Sequence, residues 1–448
     1  MNDESSRQFL ISDMDIPQPE SVSIDQAYDV PENELVAALL AEARLDPASQ
    51  DRVNLRAQAL VTAVRVRKQD QGLLEAFMQE YDLSSEEGVV LMCLAEALLR
   101  IPDVSTAEKL IADKLGDADW ESHLGKSSSV LVNASTWGLM LTGKLVALSE
   151  TTQSSFRTAL KRLVNRSGEP MVRTAIRQAM RIMGHQYVMG RTIEEAMDRA
   201  LQKKNRAYRF SFDMLGEAAL TTADSDRYQE SYRAAIEAIG AREKPDDIFA
   251  APSISVKLSA LHPRFESGQR DRVMKELTPR LLELAQLAFS NRIALTVDTE
   301  EADRLSLTLD VFSEVLRDSS LAGWDGLGLA LQTYQKRAPA MIDMLEQLSR
   351  ETAQRIPVRL VKGAYWDAEI KHAQVEGYAG YPVFTRKANT DVSYIACARR
   401  VLASRSAFYP QFATHNAQTI AVITELAGDR LDYEFQRLHG MGEDLYGV

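Results

Sequence analysis

The runs LGLALQ at residues 327–332 and VRLVKG at residues 358–363 are short, apolar and rich in leucine and valine, and an amphipathic stretch separates them. Both are typical of buried parallel strands. Five further strand candidates share this alternation after Arg206: YRFSFDML (208–215), SISVKL (253–258), IALTVD (293–298), FYPQFATH (408–415) and YEFQRL (433–438). Repeated strand-helix units predict an α/β fold, a (βα)8 TIM-like barrel in which seven strands are present.

The last predicted strand is followed only by HGMGEDLYGV, whereas each earlier strand is followed by a helical stretch. An eight-fold barrel therefore lacks one strand-helix unit, and we predict that it is C-terminally incomplete. The first strand then has no closing neighbour, which leaves an exposed edge.

The part of the chain before Arg206 has a different pattern. Residues 1–30 carry many Asp, Glu, Ser and Pro with little periodic apolar character, and we interpret them as a flexible N-terminal arm. Residues 31–207 show apolar residues at helical spacing without strand-like alternation, which predicts an all-helical region. The predicted barrel occupies residues 208–448.

Composition narrows the class of partner. Against 64 Asp and Glu the chain has 52 Lys and Arg, a formal net charge of −12, which argues against broad electrostatic binding to nucleic acid. The two cysteines, Cys93 and Cys397, lie far apart in helix-like contexts, so neither a disulfide framework nor a zinc cluster is expected. The acidic N-terminus is unlike a secretory signal, and we predict a cytoplasmic protein.

Polar residues end nearly every predicted strand. Lys257, Asp298 and Gln332 end the second, third and fourth strands, and the fifth ends in Lys362. A single charged residue at such a position is most often a salt-bridge partner, but the carboxyl ends of barrel strands meet at one face. Several charged groups at that face favour an anionic or carboxylate-bearing ligand.

Several kinds of site have no sequence support. The histidines His262, His372, His415 and His439 lie in separate segments without metal-binding spacing, so no metal is expected. No GxGxxG motif follows a strand and no P-loop occurs, which removes the usual signals for nicotinamide cofactors and nucleoside triphosphates.

Seven segments together resemble the proline dehydrogenase domain of bacterial proline utilisation A. In order they are SVKLSALHPRF, VDTEEADRL, LQTYQKRAP, RLVKGAYWDAEIKHAQ, YPVFTRKANTDVSYIACA, FATHNAQTIA and YEFQRLHGMGEDLY. The similarity covers about residues 208–448, and the helical region is similar to the N-terminal part of the same family.

This resemblance implies FAD-dependent oxidation of L-proline to Δ1-pyrroline-5-carboxylate, the first step of proline catabolism, with electrons passed to a quinone. By matching position, the substrate site contains Lys257, Asp298, Tyr365, Leu438 and Glu217. The implied flavin contacts are Gln332, Arg359, Lys362, Gly363, Tyr365, Trp366, Thr385, Lys387, Thr414, His415, Asn416 and Gln436. For the proton that leaves the substrate ammonium, Lys257 and a water molecule both remain open as acceptors.

The family pattern continues with an eighth strand bearing a tyrosine and a helix bearing an Arg-Arg pair that binds the proline carboxylate. Glu217 pairs with one of those arginines in the family. An NAD-dependent aldehyde dehydrogenase domain is normally linked to this one, whereas a ribbon-helix-helix segment is not found in this sequence. We therefore expect a fragment of a bifunctional enzyme with weak or no activity alone. Peripheral association with the inner membrane and a homo-oligomer are also consistent with the resemblance.

Two alternatives remain at the level of sequence. One is a flavin-independent barrel enzyme, such as a lyase that acts on a small carboxylate. The other is a non-catalytic helical interaction scaffold in which the barrel provides only a partner surface.

Overall fold

The computed structural model describes residues 22–69 and 188–448, with the exception of Lys204, Leu215 and Glu243. Its helices, numbered over these residues, are α1 (Val22–Asp25), α2 (Glu32–Ala43), α3 (Pro47–Gln69), α4 (Ile193–Ala200), α5 (Thr222–Gly240), α6 (Leu258–Leu261), α7 (Arg270–Ser290), α8 (Leu305–Leu316), α9 (Ala338–Thr352), α10 (Trp366–Val375), α11 (Lys387–Ala403), α12 (Ala417–Ala427) and α13 (Glu443–Gly447). The strands are β1 (Ser211–Asp213), β2 (Ser253–Lys257), β3 (Ala294–Asp298), β4 (Leu327–Gln332), β5 (Ile356–Val361), β6 (Phe408–Ala413) and β7 (Glu434–Gln436). Residues 70–187 of the predicted helical region, with Cys93, and residues 1–21 of the predicted arm lie outside the described part.

The seven strands form one sheet in the order β1 to β7, and every neighbouring pair is parallel. At least one helix lies between each strand and the next, as parallel neighbouring strands require. Among the described residues, β1 and β7 are not paired with each other. The prediction of a (βα) barrel in which seven strands are present is thus confirmed.

Alternation along the strands separates an apolar outer face from a polar interior. Ile254 and Val256 occupy alternate positions of β2 and are fully buried, as is Leu329 of β4. The intervening residues point to the other face, because successive strand side chains do so. Ser255 and Arg359 belong to that second set and hydrogen-bond to each other from strands that are not adjacent in the sheet. The barrel interior is therefore lined by polar groups that form contacts across it.

Local hydrogen bonds begin the helices that follow the strand ends. Thr221 accepts a hydrogen bond from the backbone of Asp224, whose carboxylate accepts one from the Thr221 backbone, a capping box at the start of α5. Asn416 caps α12 by accepting from the Thr419 backbone N–H at 2.9 Å.

The segment 22–46 packs on the barrel and differs from the predicted flexible arm in residues 22–30. Ile24 in α1 is fully buried, and Leu39 of α2 packs against Phe384 and Ala396. Arg400 of α11 pairs with the Glu42 carboxylate through two hydrogen bonds of 2.7 Å. A prediction based on local composition cannot detect apolar contacts between segments that are far apart in sequence.

Several strand boundaries differ from those predicted. β1 contains three residues instead of eight, and β7 contains Glu434–Gln436 instead of residues 433–438. β5 begins at Ile356 and ends at Val361, before Gly363, which has a φ of +138°. A positive φ breaks the extended conformation, so the ladder ends where the loop over the carboxyl face begins.

The chain divides into two compact units, one formed by residues 1–54 and 208–436 and the other by residues 55–207 and 437–448. The first unit contains the barrel and segment 22–46. In the second, Thr192 caps α4, and Arg67 donates a hydrogen bond to the Gly447 carbonyl at 3.0 Å. None of the described helices combines the length and apolar character needed to cross a membrane.

Candidate active site

A charged cluster lies at the carboxyl ends of the first three strands. Lys257 Nζ is 2.9 and 3.1 Å from the two carboxylate oxygens of Asp213 and 3.3 Å from Asp298 Oδ2. Lys257 and Asp298 are direct partners in the β2–β3 register, which explains their proximity. Asp298 Oδ1 in turn accepts from Arg359 at 3.1 Å. The four groups carry two positive and two negative charges.

The cluster holds Lys257 in its protonated form. Burial alone would lower the pKa of the ammonium, but the carboxylates of Asp298 and Asp213 raise it well above its ordinary value. Burial raises the pKa of Asp298, whereas the charges of Arg359 and Lys257 oppose that shift. Lys257 is therefore suited to bind charge and poorly suited to accept a proton near neutral pH.

Arg359 connects β5 with strands on the far side of the barrel interior. Its Nη2 donates to Ser211 Oγ at 2.9 Å, its Nη1 to Ser255 Oγ at 2.8 Å, and its Nε to Gln436 Oε1 at 2.8 Å. The planar guanidinium supplies several fixed donors and so joins β1, β2 and β7 at one point. Because β1 and β7 do not form a ladder with each other among the described strands, this side chain links the two edges of the sheet.

Gln332 and Gly363 shape the loops above β4 and β5. Gln332 is buried, and its Nε2 donates to the carbonyls of Thr299 and Glu300 while its Oε1 accepts from Ala364 N at 3.0 Å. A Cβ on Gly363 would lie 2.4 Å from the Tyr334 ring. The backbone here passes closer to an aromatic ring than any residue with a side chain allows.

A second group of charges has a positive surplus. Lys362 and Lys387 both donate to Asp391 Oδ1, and Lys362 also donates to Thr419 Oγ1 at 3.2 Å. Burial lowers the pKa of Lys362, and the Asp391 carboxylate opposes this shift. Two ammonium groups share one carboxylate, so this pair favours an anionic ligand such as a phosphate.

Three of the predicted flavin contacts lie in or next to the segment that leads into α11. Trp366, at the start of α10, is 41% exposed and its Nε1 donates to the Phe384 carbonyl at 2.9 Å. Thr385 follows directly, and its backbone N–H and hydroxyl both donate to the Glu32 carboxylate. Lys387 is the first residue of α11. The structure thus brings Trp366, Thr385 and Lys387 together.

The end of β6 carries the predicted Thr414-His415-Asn416 turn. Thr414 is buried, its backbone N–H donates to the Gln436 carbonyl at 3.1 Å, and its Oγ1 accepts from Asn416 N. His415 is half-buried between them. Gln436 also donates to Glu434 Oε1 at 2.6 Å. These residues lie at the same end of the sheet as Lys257 and Asp298, because all the strands are parallel.

Tyr365 and Glu217 lie at the same face, and Leu438 follows the end of β7. Burial, together with the charges of Glu217 and Glu300, raises the pKa of the half-buried Tyr365, which stays a neutral phenol. Glu217 is exposed between Gly216 and Ala218, both with positive φ. Leu438 is 64% exposed and lies after the end of β7, and its role as a wall of the substrate site stays a prediction.

Some residues of this site were missed in the sequence analysis. They are Asp213, Ser211, Ser255, Asp391 and Glu32. The first three lie on strands at inward positions, and strand parity could have identified them. Asp391 lies one helical turn from Lys387, a spacing that predicts a salt bridge. Glu32 is far from Thr385 in sequence, and no local pattern indicates their contact.

The side chains at this face supply the donors and charges that a flavin dinucleotide requires. Two lysines that share one carboxylate supply surplus positive charge for a diphosphate, and hydroxyl and amide groups of Thr385, Thr414 and Asn416 lie on the loops beside them. Arg359, in the barrel interior, can donate hydrogen bonds to the polar edge of a flavin ring. These residues fit FAD. Among the described residues no group of three or more His, Cys, Asp and Glu is arranged to hold a metal ion, and Cys397 is fully buried.

Comparison with protein families gives matches along most of the chain. A family model described as "Proline dehydrogenase" matches residues 196–448. One described as "Proline utilization A proline dehydrogenase N-terminal domain" matches residues 22–65. A third, "DNA-binding domain of Proline dehydrogenase", matches residues 73–187. This last description conflicts with the prediction that nucleic acid is excluded as a partner, since net charge does not report on a local surface.

Curated relatives cover nearly all of this chain. It is 50% identical over 437 residues to the bifunctional protein PutA of Escherichia coli (strain K12), which covers 96% of this chain and 33% of that protein. The PutA of Rhizobium meliloti is 47% identical over 427 residues, which are 95% of this chain and 34% of that protein. The chain therefore spans about a third of the length of these relatives.

A solved structure shows the same fold. A mutant of Bradyrhizobium japonicum proline utilization A is 50% identical, with a TM-score of 0.70 over 94% of this chain and 42% of that chain. The barrel described above therefore has an architecture that is also seen in the solved structure of a relative.

Proposed function

Because this chain belongs to the proline dehydrogenase family, we propose that it oxidises L-proline to Δ1-pyrroline-5-carboxylate with FAD as the cofactor. A quinone is the proposed electron acceptor. We place the enzyme in the cytoplasm, where it associates peripherally with the inner membrane to reach the quinone. We also propose that the catalytic domain spans residues 208–448, after an N-terminal arm (1–30) and a helical region (31–207).

The observation that carries this proposal is the neutral cluster of Lys257, Arg359, Asp213 and Asp298. Proline is a zwitterion near neutral pH, so a site with both signs of charge can pair with its ammonium and its carboxylate. A lyase that acts on a simple carboxylate would benefit from surplus positive charge instead. The charge balance thus favours an amino acid substrate.

The residues of this chain would bind, orient and hold charge. Bound FAD would supply the acceptor for a hydride from the ring carbon next to the substrate nitrogen. Lys257 offers a permanent ammonium to the substrate carboxylate, and Tyr365 packs beside the substrate ring as a neutral phenol. The raised pKa of Lys257 favours a water molecule as the acceptor of the ammonium proton.

A separate subsite would hold the cofactor. Lys362 and Lys387 would bind its diphosphate, and Trp366 would pack against it, since this side chain is exposed at the start of α10. Arg359 would lie at the polar edge of the flavin ring. Gln332, Gly363, Thr385, Thr414, His415, Asn416 and Gln436 complete the proposed contacts.

A test begins with the purified chain and a titration with FAD, followed by a proline:dye assay of the loaded protein. The proposal expects a yellow protein whose flavin absorption is bleached by proline. Because the chain spans about a third of the length of its relatives, we propose that this activity is weak in isolation. Linkage to an aldehyde dehydrogenase domain and assembly into a homo-oligomer complete this proposal. A protein that takes up no FAD would refute the proposed function.

A further inference from the structure

Glu32 forms a long-range contact with the proposed cofactor site. Thr385 donates to its carboxylate from the backbone N–H at 3.1 Å and from Oγ1 at 2.9 Å, and Asn389 Nδ2 donates to Oε1. In sequence, Glu32 is 353 residues from Thr385 and 357 residues from Asn389. Such a contact orders neither partner until the whole unit has folded.

The carboxylate of Glu32 is ionised in this setting. Burial raises its pKa, but the hydrogen bonds from Asn389 and Thr385 outweigh burial, so the pKa lies below its ordinary value. The nearby charge of Lys336 acts in the same direction. Charge-assisted hydrogen bonds are stronger than neutral ones, and they hold the Thr385 hydroxyl in one orientation.

The residues that precede Thr385 are attached to the barrel on another side. Phe384 N donates to the Tyr334 carbonyl at 2.8 Å, and Lys336 N donates to the Pro382 carbonyl at 3.0 Å. The Phe384 carbonyl accepts from Trp366 Nε1. This segment, 382–384, therefore depends on the β4–α9 loop and on α10. Thr385, one residue later, is exposed and has Glu32 as its partner.

Helix α2 keeps Glu32 in place. Glu32 is the first residue of α2, whose Leu39 is buried against Phe384 and Ala396. Arg400 of α11 pairs with Glu42 near the other end of the same helix. The helix is thus attached along its length to α11, and the position of its first carboxylate is determined by that packing.

We propose that Glu32 is a positioning residue for the cofactor: it fixes Thr385 and the start of α11 so that Thr385 and Lys387 are preorganised to hold FAD. Its carboxylate takes up both donors of Thr385, which leaves the acceptor lone pairs of the hydroxyl for the ligand. Preorganisation lowers the entropic cost of binding. This inference rests on the proposed function, since it assumes that these residues contact FAD.

The test compares FAD dissociation constants of the full chain, measured by titration of the apo protein. Glu32→Gln keeps the size of the side chain but removes its charge, and Glu34→Gln is the matched control, because Glu34 is an exposed residue in the same first turn. We expect a dissociation constant about tenfold higher for Glu32→Gln, the effect of one lost charge-assisted hydrogen bond. Both variants should be folded at the temperature of the titration, and the melting temperature of apo Glu32→Gln should lie below that of the control because the hydrogen bonds to its carboxylate are weakened.

Three further variants, Asn389→Ala, Thr385→Ala and the double variant Glu32→Gln/Thr385→Ala, separate positioning from a general loss of structure. Asn389→Ala removes a second donor to Glu32 Oε1 without altering Thr385, and it should weaken FAD binding by a smaller factor. Glu32→Gln combined with Thr385→Ala should weaken binding by less than the product of the single effects, because the two residues act together.

The outcomes separate the inference from the function on which it rests. If the unmodified chain binds no FAD, the proposed function fails and the inference fails with it. If the unmodified chain binds FAD but Glu32→Gln binds it as tightly as Glu34→Gln, or more tightly, only the positioning role of Glu32 is overturned. A cycle in which the Glu32 and Thr385 effects multiply independently would overturn it as well.

Discussion

Asp213, the last residue of β1, holds the Lys257 ammonium through both of its carboxylate oxygens, at 2.9 and 3.1 Å. β1 contains only three residues, yet its end supplies half of the negative charge around this lysine. The pair explains why the substrate end of the site is neutral and why Lys257 retains its proton.

Replacement of Lys257 by Met should weaken proline binding by about tenfold or more, because the substrate carboxylate would then meet a cluster with net negative charge. The unpaired carboxylates should also lower the free energy of unfolding by about 2 kcal/mol. Calorimetric titration with proline and urea denaturation measure the two effects. Lys275→Met, an exposed change on α7, is the control, and equal proline affinity in both variants would contradict the prediction.

Arg359→Lys should destabilise the barrel by about 2 kcal/mol, since an ammonium cannot reach the acceptors on β1, β2 and β7 together. The linkage between the two sheet edges is then lost, and urea denaturation should show a lower midpoint. Arg292→Lys, at a residue whose side chain is 67% exposed, provides the comparison. Identical midpoints for the two variants would show that the interior contacts of Arg359 contribute nothing to stability.

Gly363→Ala should lower the free energy of unfolding by about 3 kcal/mol, because its new Cβ would collide with the Tyr334 ring in addition to the strain of a positive φ. Gly377→Ala is a matched control: Gly377 also has a positive φ, of +69°, but its Cβ would meet open space. The control should cost about 1 kcal/mol. Thermal or urea unfolding of both variants measures the difference, and equal losses would rule out the steric contribution.

The contribution of Glu32 to stability should depend on pH. The pKa of the Glu32 carboxyl group is lower in the folded state than its value of about 4.3 in the unfolded state, so the ionised group stabilises the fold above that pH. This contribution is lost as the pH falls through the folded-state pKa. The difference in melting temperature between the unmodified chain and Glu32→Gln should therefore be constant above about pH 5.5 and should shrink towards pH 3. A difference that grows on acidification would contradict the assigned ionisation. Glu34→Gln controls for the loss of one negative charge.

Much of the barrel could be predicted from local patterns. The run at 327–332 coincides with β4, and β2, β3 and β6 begin within one residue of their predicted starts. Predictions were poorest for β1 and β7, which are the edges of the sheet and have a partner on one side only. The length of an edge strand depends on the neighbouring strand and the adjoining loops, and the local sequence carries no information about these contacts.

The residues of the candidate site also divide into those that the sequence could identify and those that it could not. Lys257, Asp298 and Gln332 could be identified because they end apolar runs, and Lys362 and Lys387 because they lie in a recognisable family motif. Asp213 was missed because the predicted first strand continued beyond it. Leu438 follows the end of β7, and its assignment to the substrate site rests on matching position alone and stays a prediction.

The amino-acid sequence by itself determined the order of strands and helices and the face on which the charged strand ends meet. Periodicity and parallel topology are local properties of the chain, so a reader of the sequence can recover them. Only the tertiary structure decided that Lys257 lies between Asp213 and Asp298, that Arg359 joins both edges of the sheet, and that Glu32 contacts Thr385. Those contacts join residues far apart in sequence, and their geometry depends on how the intervening core packs.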